Sequence, residues 1–418
     1  MKDPAVSSLD QEPVNEDDLG PLEEKVLGQI VASEIVDLLQ RLIQQRSDYP
    51  PGDCRSAMNI VEAKLTSAGV PFRIFSRQPN QPNLIAAIGP REQKPRLMFH
   101  SHIDTVPAGE LDRWSVEPFA GTRKGERIYG RGAGDDKSSV VAQLMSVVAL
   151  ARAGVSLEGT LQLVVVSDEE SGGEQGTYWL HQEHALRAEA LVVGEQTDNR
   201  IAIAERVACG IDLTVFGKSA HGAMPWVGEN AVLKAARALT WLQDTLFLRL
   251  LARKHPYLPP PTLNVGRIQG GVQWSIVPER CKIEMDRRLL PGETRETAIE
   301  EIRQALDDYA ASVEPLRYEL FSTGEVAANI DTPPGDPFVT VASQVLKAIC
   351  GEERPLTGYV QTSDGRWFAR DGIPIILFGP SDPAVAHAVD EWVSMDQLIE
   401  AARFYALLPL RWVKQDGR

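Results

Sequence analysis

The sequence has few of the features that mark secreted or membrane-spanning proteins. Its four cysteines lie far apart and form no CxxC pair, so nothing suggests a disulfide framework or a thiolate zinc site. No run of about 18 apolar residues occurs, and we therefore expect no membrane span. The first residues also lack the basic start and apolar core of a signal peptide. We expect a cytoplasmic protein.

Positive charge is also scarce. The 418 residues include 43 Lys and Arg against 58 Asp and Glu, which gives a formal net charge of -15. This excess of negative charge speaks against nucleic acid and anionic membrane as partners, because both are bound through positive surface charge. Residues 1–22 are acidic and polar, and we expect them to form a flexible lead-in; a functional acidic tail is the alternative.

Apolar residues, by contrast, are frequent enough to build sizeable cores. They make up 43% of the chain, and the length favours two domains. Short apolar runs, typical of buried strands, alternate with a helical pattern over residues 138–153. These runs cover residues 84–88, 96–100, 161–167 and 191–194. The alternation predicts an α/β domain with a mostly parallel central sheet flanked by helices, in which sites form at the C-terminal strand ends.

A different pattern begins near residue 206. Residues 207–216 and 281–289 alternate apolar with other side chains, and two long helical patterns lie nearby, at about 230–253 and 296–312. We interpret residues 207–323 as a smaller inserted α+β domain, a two-layer sandwich. The catalytic domain then consists of residues 23–206 and 324–418.

A histidine and an aspartate follow the second apolar run. His102 and Asp104 are two residues apart, and such residues point to the same side of a strand. A metal-bound imidazole commonly donates its free N–H to a carboxylate, which fixes the orientation of the ring. His102 as a ligand and Asp104 as its support meet that need, although a His-x-Asp pair alone is a weak signal.

Further candidate ligands stand at comparable places along the chain. A glycine-rich loop ends in Asp135, Glu169 and Glu170 follow the third apolar run, Glu195 follows the fourth, and His387 lies near the C-terminus. Each segment alone is as well explained by a solvated turn or an acidic loop. Together, so many negative charges at one sheet edge would repel one another unless cations were bound. The pattern therefore predicts a metal site at this edge.

These segments resemble the metal-dependent amidohydrolases and exopeptidases that include acetylornithine deacetylase, succinyl-diaminopimelate desuccinylase, aminoacylase and glutamate carboxypeptidase. The matching segments occur in family order and are HSHIDTVPAG, GRGAGDDKS, VSDEESGG, VVGEQTD, GKSAHGAMPWVGENA, EMDRRLLPGE, TSDGRWFARDGIP and FGPSDPAVAHAVDE. They span about residues 97–391. Each segment is a weak signal alone, and together they are highly specific.

The resemblance implies a site with two zinc ions, which cobalt or manganese can replace. Asp135 matches the carboxylate that bridges the two ions. His102 and Glu195 match the other ligands of one ion, and Glu170 and His387 match those of the second.

Other roles also come from the resemblance. Glu169 matches the general base, and Asp104 the residue that supports the neighbouring histidine. His221, in the inserted domain, matches a histidine that reaches a neighbouring active site and steadies the oxyanion, which implies a homodimer formed through that domain. Arg288 matches an arginine that binds the substrate carboxylate. Asn264 is a further candidate substrate contact.

Three functions are compatible with these residues. The first is a deacylase that removes the acyl group of a small N-acyl amino acid, and the second is a dipeptidase or carboxypeptidase that uses the same site on a short peptide. The third is a non-catalytic metal-binding scaffold, which predicts the loss of the base or of a ligand, and none is lost. The first two differ in the pocket on the acyl side, which the motifs do not define. Ser275 also stands where family members often carry Asn, so we expect a substrate or interface contact to differ there.

Overall fold

The computed structural model describes residues 19–90, 94, 96–323 and 328–413. Residues 1–18 of the expected lead-in lie outside these ranges. The chain divides into two compact units. The small unit consists of Ala204–Asp331 and Gly358–Thr362, and the rest of the described chain forms the large unit. The boundaries predicted at 207 and 323 fall inside the first segment of the small unit.

The helices and strands of the described residues are numbered in chain order. The α-helices are α1 (Pro21–Leu27), α2 (Ala32–Ile43), α3 (Arg55–Ser67), α4 (Lys137–Arg152), α5 (Thr177–Gln182), α6 (Ala231–Leu242), α7 (Leu248–Leu251), α8 (Arg295–Ser312), α9 (Pro337–Cys350) and α10 (Met395–Trp412). The strands are β1 (Phe72–Phe75), β2 (Asn83–Ile88), β3 (Arg96–His102), β4 (Thr122–Lys124), β5 (Arg127–Tyr129), β6 (Thr160–Val166), β7 (Ala190–Val193), β8 (Ala202–Glu205), β9 (Val207–Phe216), β10 (Ala220–His221), β11 (Thr262–Gly270), β12 (Ile276–Val277), β13 (Arg280–Leu289), β14 (Arg317–Thr323), β15 (Thr357–Tyr359), β16 (Ile375–Leu377) and β17 (Trp392–Ser394).

A mixed sheet forms the centre of the large unit, with the spatial order β1-β2-β6-β3-β7-β16-β8-β15. The four central strands, β6, β3, β7 and β16, are parallel to one another. The pairings β1–β2, β2–β6 and β16–β8 are antiparallel. The predicted α/β class is therefore confirmed, and the carboxyl ends of the central strands meet at one edge of the sheet.

Helix α4 is the most deeply placed helix of the large unit. Nearly all of its residues are buried, from Lys137 to Leu150, including its polar ones. A helix that is enclosed on all sides packs in a core rather than on a surface. It contacts α10 and α2, and it also contacts β3 and β6 of the sheet. This packing holds the loop before α4, which carries Asp135, against the carboxyl ends of the central strands.

The small unit has two layers. One is an antiparallel sheet with the order β11-β13-β9-β14. In β9 and β13 every second side chain is buried, as period-2 packing on one face requires. The other layer contains α6 and α8, whose apolar side chains share one core with those buried strand residues. Beyond this sheet, β10 and β12 form a separate short pair.

None of the helices in the described part of the chain combines the length and the apolar character that crossing a membrane requires.

Candidate metal centre

The carboxyl edge of the central sheet gathers the candidate ligands of the large unit. His102 is the last residue of β3, Glu170 lies in the turn after β6, and Glu195 follows β7. Asp135 lies just before α4, and His387 is contributed by the loop between β16 and β17. Because neighbouring parallel strands end at the same edge, residues far apart in sequence are brought within a few ångströms.

One group of potential ligands is buried. It consists of His102, Asp135 and Glu195, whose nearest ligand atoms all lie within 4.8 Å of one another. The His102 Nε2 atom is 3.1 Å from Asp135 Oδ1. One imidazole and two carboxylates at this spacing form a set of donors that suits a divalent cation such as zinc.

A second group shares Asp135 with the first. It consists of Asp135, Glu170 and His387, again with ligand atoms within 4.8 Å of one another. His387 Nε2 is 3.1 Å from Asp135 Oδ2 and 3.1 Å from Glu170 Oε1. The His387 side chain is 51% exposed, so this group is open to solvent. The two oxygens of Asp135 thus serve different groups, which is the arrangement that a bridging carboxylate requires.

Asp104 supports both His102 and the turn that carries the glutamates. The His102 Nδ1 atom is 3.1 Å from the Asp104 carbonyl oxygen and 3.5 Å from its carboxylate. The carboxylate also accepts the backbone N–H groups of Glu169, at 3.3 Å, and Glu170, at 3.0 Å. Asp104 therefore contacts the imidazole with both its carbonyl oxygen and its carboxylate, and the carboxylate also fixes the turn.

Glu169 lies next to this centre but belongs to neither ligand group. Its carboxylate is 3.6 Å from the Arg366 guanidinium. Burial raises the pKa of Glu169 well above its usual range, although the charge of Arg366 opposes this rise. A buried carboxylate that holds a proton readily has the property that a general acid–base group needs near neutral pH.

The pKa values of Glu195, Glu170 and His387 are raised, as expected where buried carboxylates have too few cations beside them. Burial raises the pKa of Glu195 and Glu170, and the charge of nearby aspartates raises both further. Hydrogen bonds to Asp135 and Glu170 raise the pKa of His387 to about 10. Burial and the nearby aspartates thus favour the protonated forms of Glu195 and Glu170, and the carboxylate partners favour the protonated imidazole of His387. Divalent cations would compensate the same charge, and the residues therefore fit a pair of metal ions.

Glu391 is a residue to which the sequence reasoning assigned no role. It is completely buried and pairs with Arg131. Its carboxylate also accepts the backbone N–H groups of Gly134, at 2.8 Å, and Asp135, at 2.9 Å. Glu391 thus holds the loop that presents the shared carboxylate. The only sequence signal was its place in the AHAVDE segment, four residues after His387.

Asp364 and Arg366 were also missed as contributors to the site. The buried Asp364 carboxylate accepts hydrogen bonds from Thr177 at 2.5 Å and from Trp367 Nε1 at 3.1 Å, and it lies 3.4 Å from Arg366. Arg366 in turn faces Glu169. These residues form a charged support behind the candidate base. The sequence feature that could have identified them is their place in the TSDGRW segment.

The other candidate residues lie in the small unit. His221 is exposed on β10, and its Nδ1 atom accepts the backbone N–H of Ala223 at 3.0 Å. The neutral ring therefore carries its proton on Nε2 and can donate it. Arg288 lies at the end of β13, where it contacts Asp286 at 2.9 Å and Thr362 at 3.2 Å.

Asn264 lies on β11 and is exposed. It faces Asp286 in the register of β11 with β13, the strand that also carries Arg288. The structure thus brings the large-unit candidates together in one centre, and it places Asn264 and Arg288 on neighbouring strands of the small unit.

Comparison with known proteins identifies the family of the chain. The model of the family described as Peptidase family M20/M25/M40 matches residues 98–411. A similar relative is the succinyl-diaminopimelate desuccinylase of Dechloromonas aromatica, which is 29% identical over 379 residues, covering 88% of this chain and 96% of the relative.

Solved structures share the fold. An M20 family metallo-carboxypeptidase from Sulfolobus solfataricus superposes with a TM-score of 0.74 at 18% identity, covering 91% of this chain and 99% of the other. A Bacillus subtilis protein described as a dinuclear metal binding peptidase from the M20 family gives a TM-score of 0.68 at 16% identity, covering 92% and 98%.

Proposed function

The chain belongs to peptidase family M20/M25/M40, and from this membership we propose that it hydrolyses the amide bond of a small N-acyl amino acid. The coarser statement, that it is a metallohydrolase acting on amide or peptide bonds, follows from the family itself. The observation that carries the proposed mechanism is the pair of ligand groups that share Asp135, with Glu169 beside them but outside both. The names of the sequence relatives support the N-acyl substrate.

In this proposal two metal ions are held at the carboxyl edge of the central sheet. Asp135 would be shared by the two ions, His102 and Glu195 would complete the buried position, and Glu170 and His387 would complete the open one. Imidazole and carboxylate ligands suit zinc, with cobalt or manganese as substitutes. When bound, such ions polarise the amide carbonyl and make water a nucleophile near neutral pH.

Glu169 is the proposed general base. It takes a proton from the attacking water and passes it to the nitrogen of the leaving amine. Its burial supports this role, because a carboxyl group with a raised pKa can both accept and return a proton. The positive charge of Arg366, 3.6 Å away, opposes that rise of the Glu169 pKa.

His221 is proposed to donate a hydrogen bond to the oxyanion in the site of a second subunit. The support is its exposed position and the proton on its Nε2 atom, which follows from the bond between Nδ1 and Ala223. A homodimer through the small unit is compatible with the exposed edge strand β11, on which Val265 and Ile268 face solvent. An unpaired strand edge of this kind readily pairs with a second chain.

Arg288 and Asn264 are proposed to bind the substrate. The Arg288 guanidinium is partly exposed and can pair with the carboxylate of the amino-acid part of the substrate. Side chains of β13 alternate between a buried and a more exposed face. Arg287 is therefore buried, where it pairs with Glu293, whereas Arg288 can reach a substrate. The cytoplasmic location remains a prediction of the sequence.

The deacylase is preferred to a dipeptidase or carboxypeptidase because the sequence relatives are named succinyl-diaminopimelate desuccinylase. A panel of N-acetyl and N-succinyl amino acids and dipeptides, assayed with zinc or cobalt, tests this choice. We expect turnover of the N-acyl substrates. Turnover of dipeptides alone would contradict the deacylase.

Replacing Glu169 by Gln tests the mechanism. We expect kcat to fall by about 10²–10⁴-fold with metal content unchanged, because the base is lost and no ligand is removed. Glu174→Gln, an exposed glutamate a few residues further along the chain, is the matched control and should keep full activity. Full activity of Glu169→Gln would overturn the mechanism.

A further inference from the structure

The segments around His221 form an uncharged tip on the small unit, defined as residues 219–228 and 270–278. No Asp, Glu, Lys or Arg occurs in either segment, although 24% of the chain is charged. The two segments are joined by the pairing of β10 with β12 and by a hydrogen bond from the Gly222 N–H to the Ser275 carbonyl at 2.7 Å. His221 is thus the only ionisable side chain of the tip.

The uncharged tip exposes large apolar side chains. Trp274 is 94% exposed, Val272 88% and Trp226 75%, and Met224 and Val227 are each about half exposed. Tryptophans bury large areas when they bind, and clustered exposed apolar side chains of this kind mark a binding surface. If the tip were only a solvated surface loop, we would expect it to expose polar side chains instead.

The tip is tied closely to the His221 imidazole. His221 faces Ile276 in the strand register, two residues after Trp274. The Met224 N–H donates to the His221 carbonyl at 2.8 Å, and this turn leads directly to Trp226. Both tryptophan-bearing segments are therefore joined by backbone pairing to the short strand that carries His221.

From this arrangement we propose that Trp274 and Trp226 select the acyl group of the substrate, and that this group is apolar and uncharged. The inference rests on the proposed function, in which His221 contacts the carbonyl oxygen in the site of a second subunit. The amino-acid carboxylate of the substrate is assigned to Arg288, so the part that continues beyond the carbonyl is the acyl chain. An uncharged tip offers no cation to the second carboxylate of a succinyl group, whereas the indole rings suit an aromatic or branched acyl group.

Kinetics with the full-length protein and three acyl derivatives of one amino acid test this selection. We expect kcat/KM to be at least about tenfold higher for the N-phenylacetyl than for the N-acetyl substrate, and lowest for the N-succinyl substrate. Trp274→Ala should lower the ratio of phenylacetyl to acetyl turnover by about tenfold or more. Trp274→Arg should raise the ratio of succinyl to acetyl turnover, because it supplies the missing cation.

Val313→Ala is the matched control, since Val313 is another exposed apolar residue of the small unit that lies outside the tip. It should leave all three ratios unchanged. A preference of the unmodified chain for the succinyl substrate would overturn the selection and leave the deacylase intact. So would an equal loss for all three substrates in Trp274→Ala together with dissociation of the dimer, because the tip would then be only a subunit contact. Absence of turnover for every N-acyl substrate would overturn both proposals.

Discussion

The two edges of the central sheet place carboxylates in opposite electrostatic surroundings. At the amino edge, Glu189 pairs with Arg96 at 2.9 Å and with Lys94 at 3.0 Å. Burial alone would raise the pKa of Glu189, but hydrogen bonds from these two cations outweigh it and lower the pKa to about 2. At the carboxyl edge of the same strands, burial and the nearby Asp136 raise the pKa of Glu195 well above its usual range.

The difference shows that the amino edge of the sheet carries a stabilising ion pair, whereas the carboxyl edge carries the candidate metal ligands. At the amino edge the fold supplies its own cations, and the carboxylate is ionised without a ligand. At the carboxyl edge several buried carboxylates lie around two imidazoles, an arrangement that disfavours full ionisation unless further positive charge arrives. A pair of divalent ions would supply that charge. We therefore expect substitutions at the carboxyl edge to change metal affinity and substitutions at the amino edge to leave it unchanged.

The largest effect is expected from Asp135→Ala. Because the two Asp135 oxygens lie in different ligand groups, the variant should lose both ions. It should then lose more than about 10³-fold in kcat/KM, since bound metal ions contribute several kcal/mol to catalysis. Metal content by mass spectrometry and steady-state kinetics measure the two effects. Asp37→Ala, an exposed aspartate on α2, is the control. Two ions per chain in Asp135→Ala would show that the carboxylate does not bridge.

Removing one imidazole at a time should separate the two ligand groups. His102→Ala and His387→Ala should each lose one ion, with at least about a 100-fold drop in affinity for that ion, since even outer partners of ligands contribute about 10–100-fold. Competition with a coloured chelator measures both affinities. If either variant loses both ions together or keeps both, the division into a buried and an open position is wrong.

Glu391→Gln is expected to weaken metal binding without removing a ligand. The variant keeps the shape of the side chain but loses the charge that pairs with Arg131 and fixes the Asp135 backbone. We expect metal affinity to fall by about 10–100-fold and the thermal midpoint to drop, because Arg131 is left as a buried unpaired charge. Chelator competition and thermal unfolding measure these effects. Wild-type affinity in this variant would mean that Glu391 serves stability alone.

The smallest effect is expected at the amino edge. Glu189→Gln should lower the free energy of unfolding by about 1 kcal/mol at pH 7, a value that allows for the partial exposure of the pair, and should leave metal affinity unchanged. Because the folded pKa of Glu189 lies below its unfolded value, its contribution is fully present above about pH 4.5 and disappears as the pH falls towards 2. Urea unfolding of both proteins across this range should therefore show their difference shrinking. A changed metal affinity in Glu189→Gln would show that the amino edge also contributes to metal binding, contrary to the proposed difference between the two edges.

Local rules were sufficient to predict much of this fold. Runs of buried apolar residues predicted β3, β6 and β7, and the side chains that follow them predicted the edge where His102 and Glu195 meet. The strict alternation of residues 207–216 predicted β9 with its observed bounds. These features depend on residues that are close together in the sequence, and the periodicity of apolar residues is a good predictor of such local structure.

Other elements left no comparable signal. Strands β4, β5 and β15 have three residues each, too few for a period to emerge. The helical pattern at about 230–253 gave no sign of the π-helical turn Gln243–Phe247 between α6 and α7. The support of Asp135 by Glu391 joins residues more than 250 positions apart. The division of the candidate ligands between two metal positions came from the family resemblance and stays a prediction.

The most direct test is a crystal structure of the zinc-loaded protein with anomalous scattering measured on both sides of the zinc absorption edge. We expect two zinc peaks about 3.5–4 Å apart, on either side of the Asp135 carboxylate. One peak should contact His102 and Glu195, and the other Glu170 and His387. A single peak at this edge of the sheet, or two peaks without Asp135 between them, would contradict this expectation.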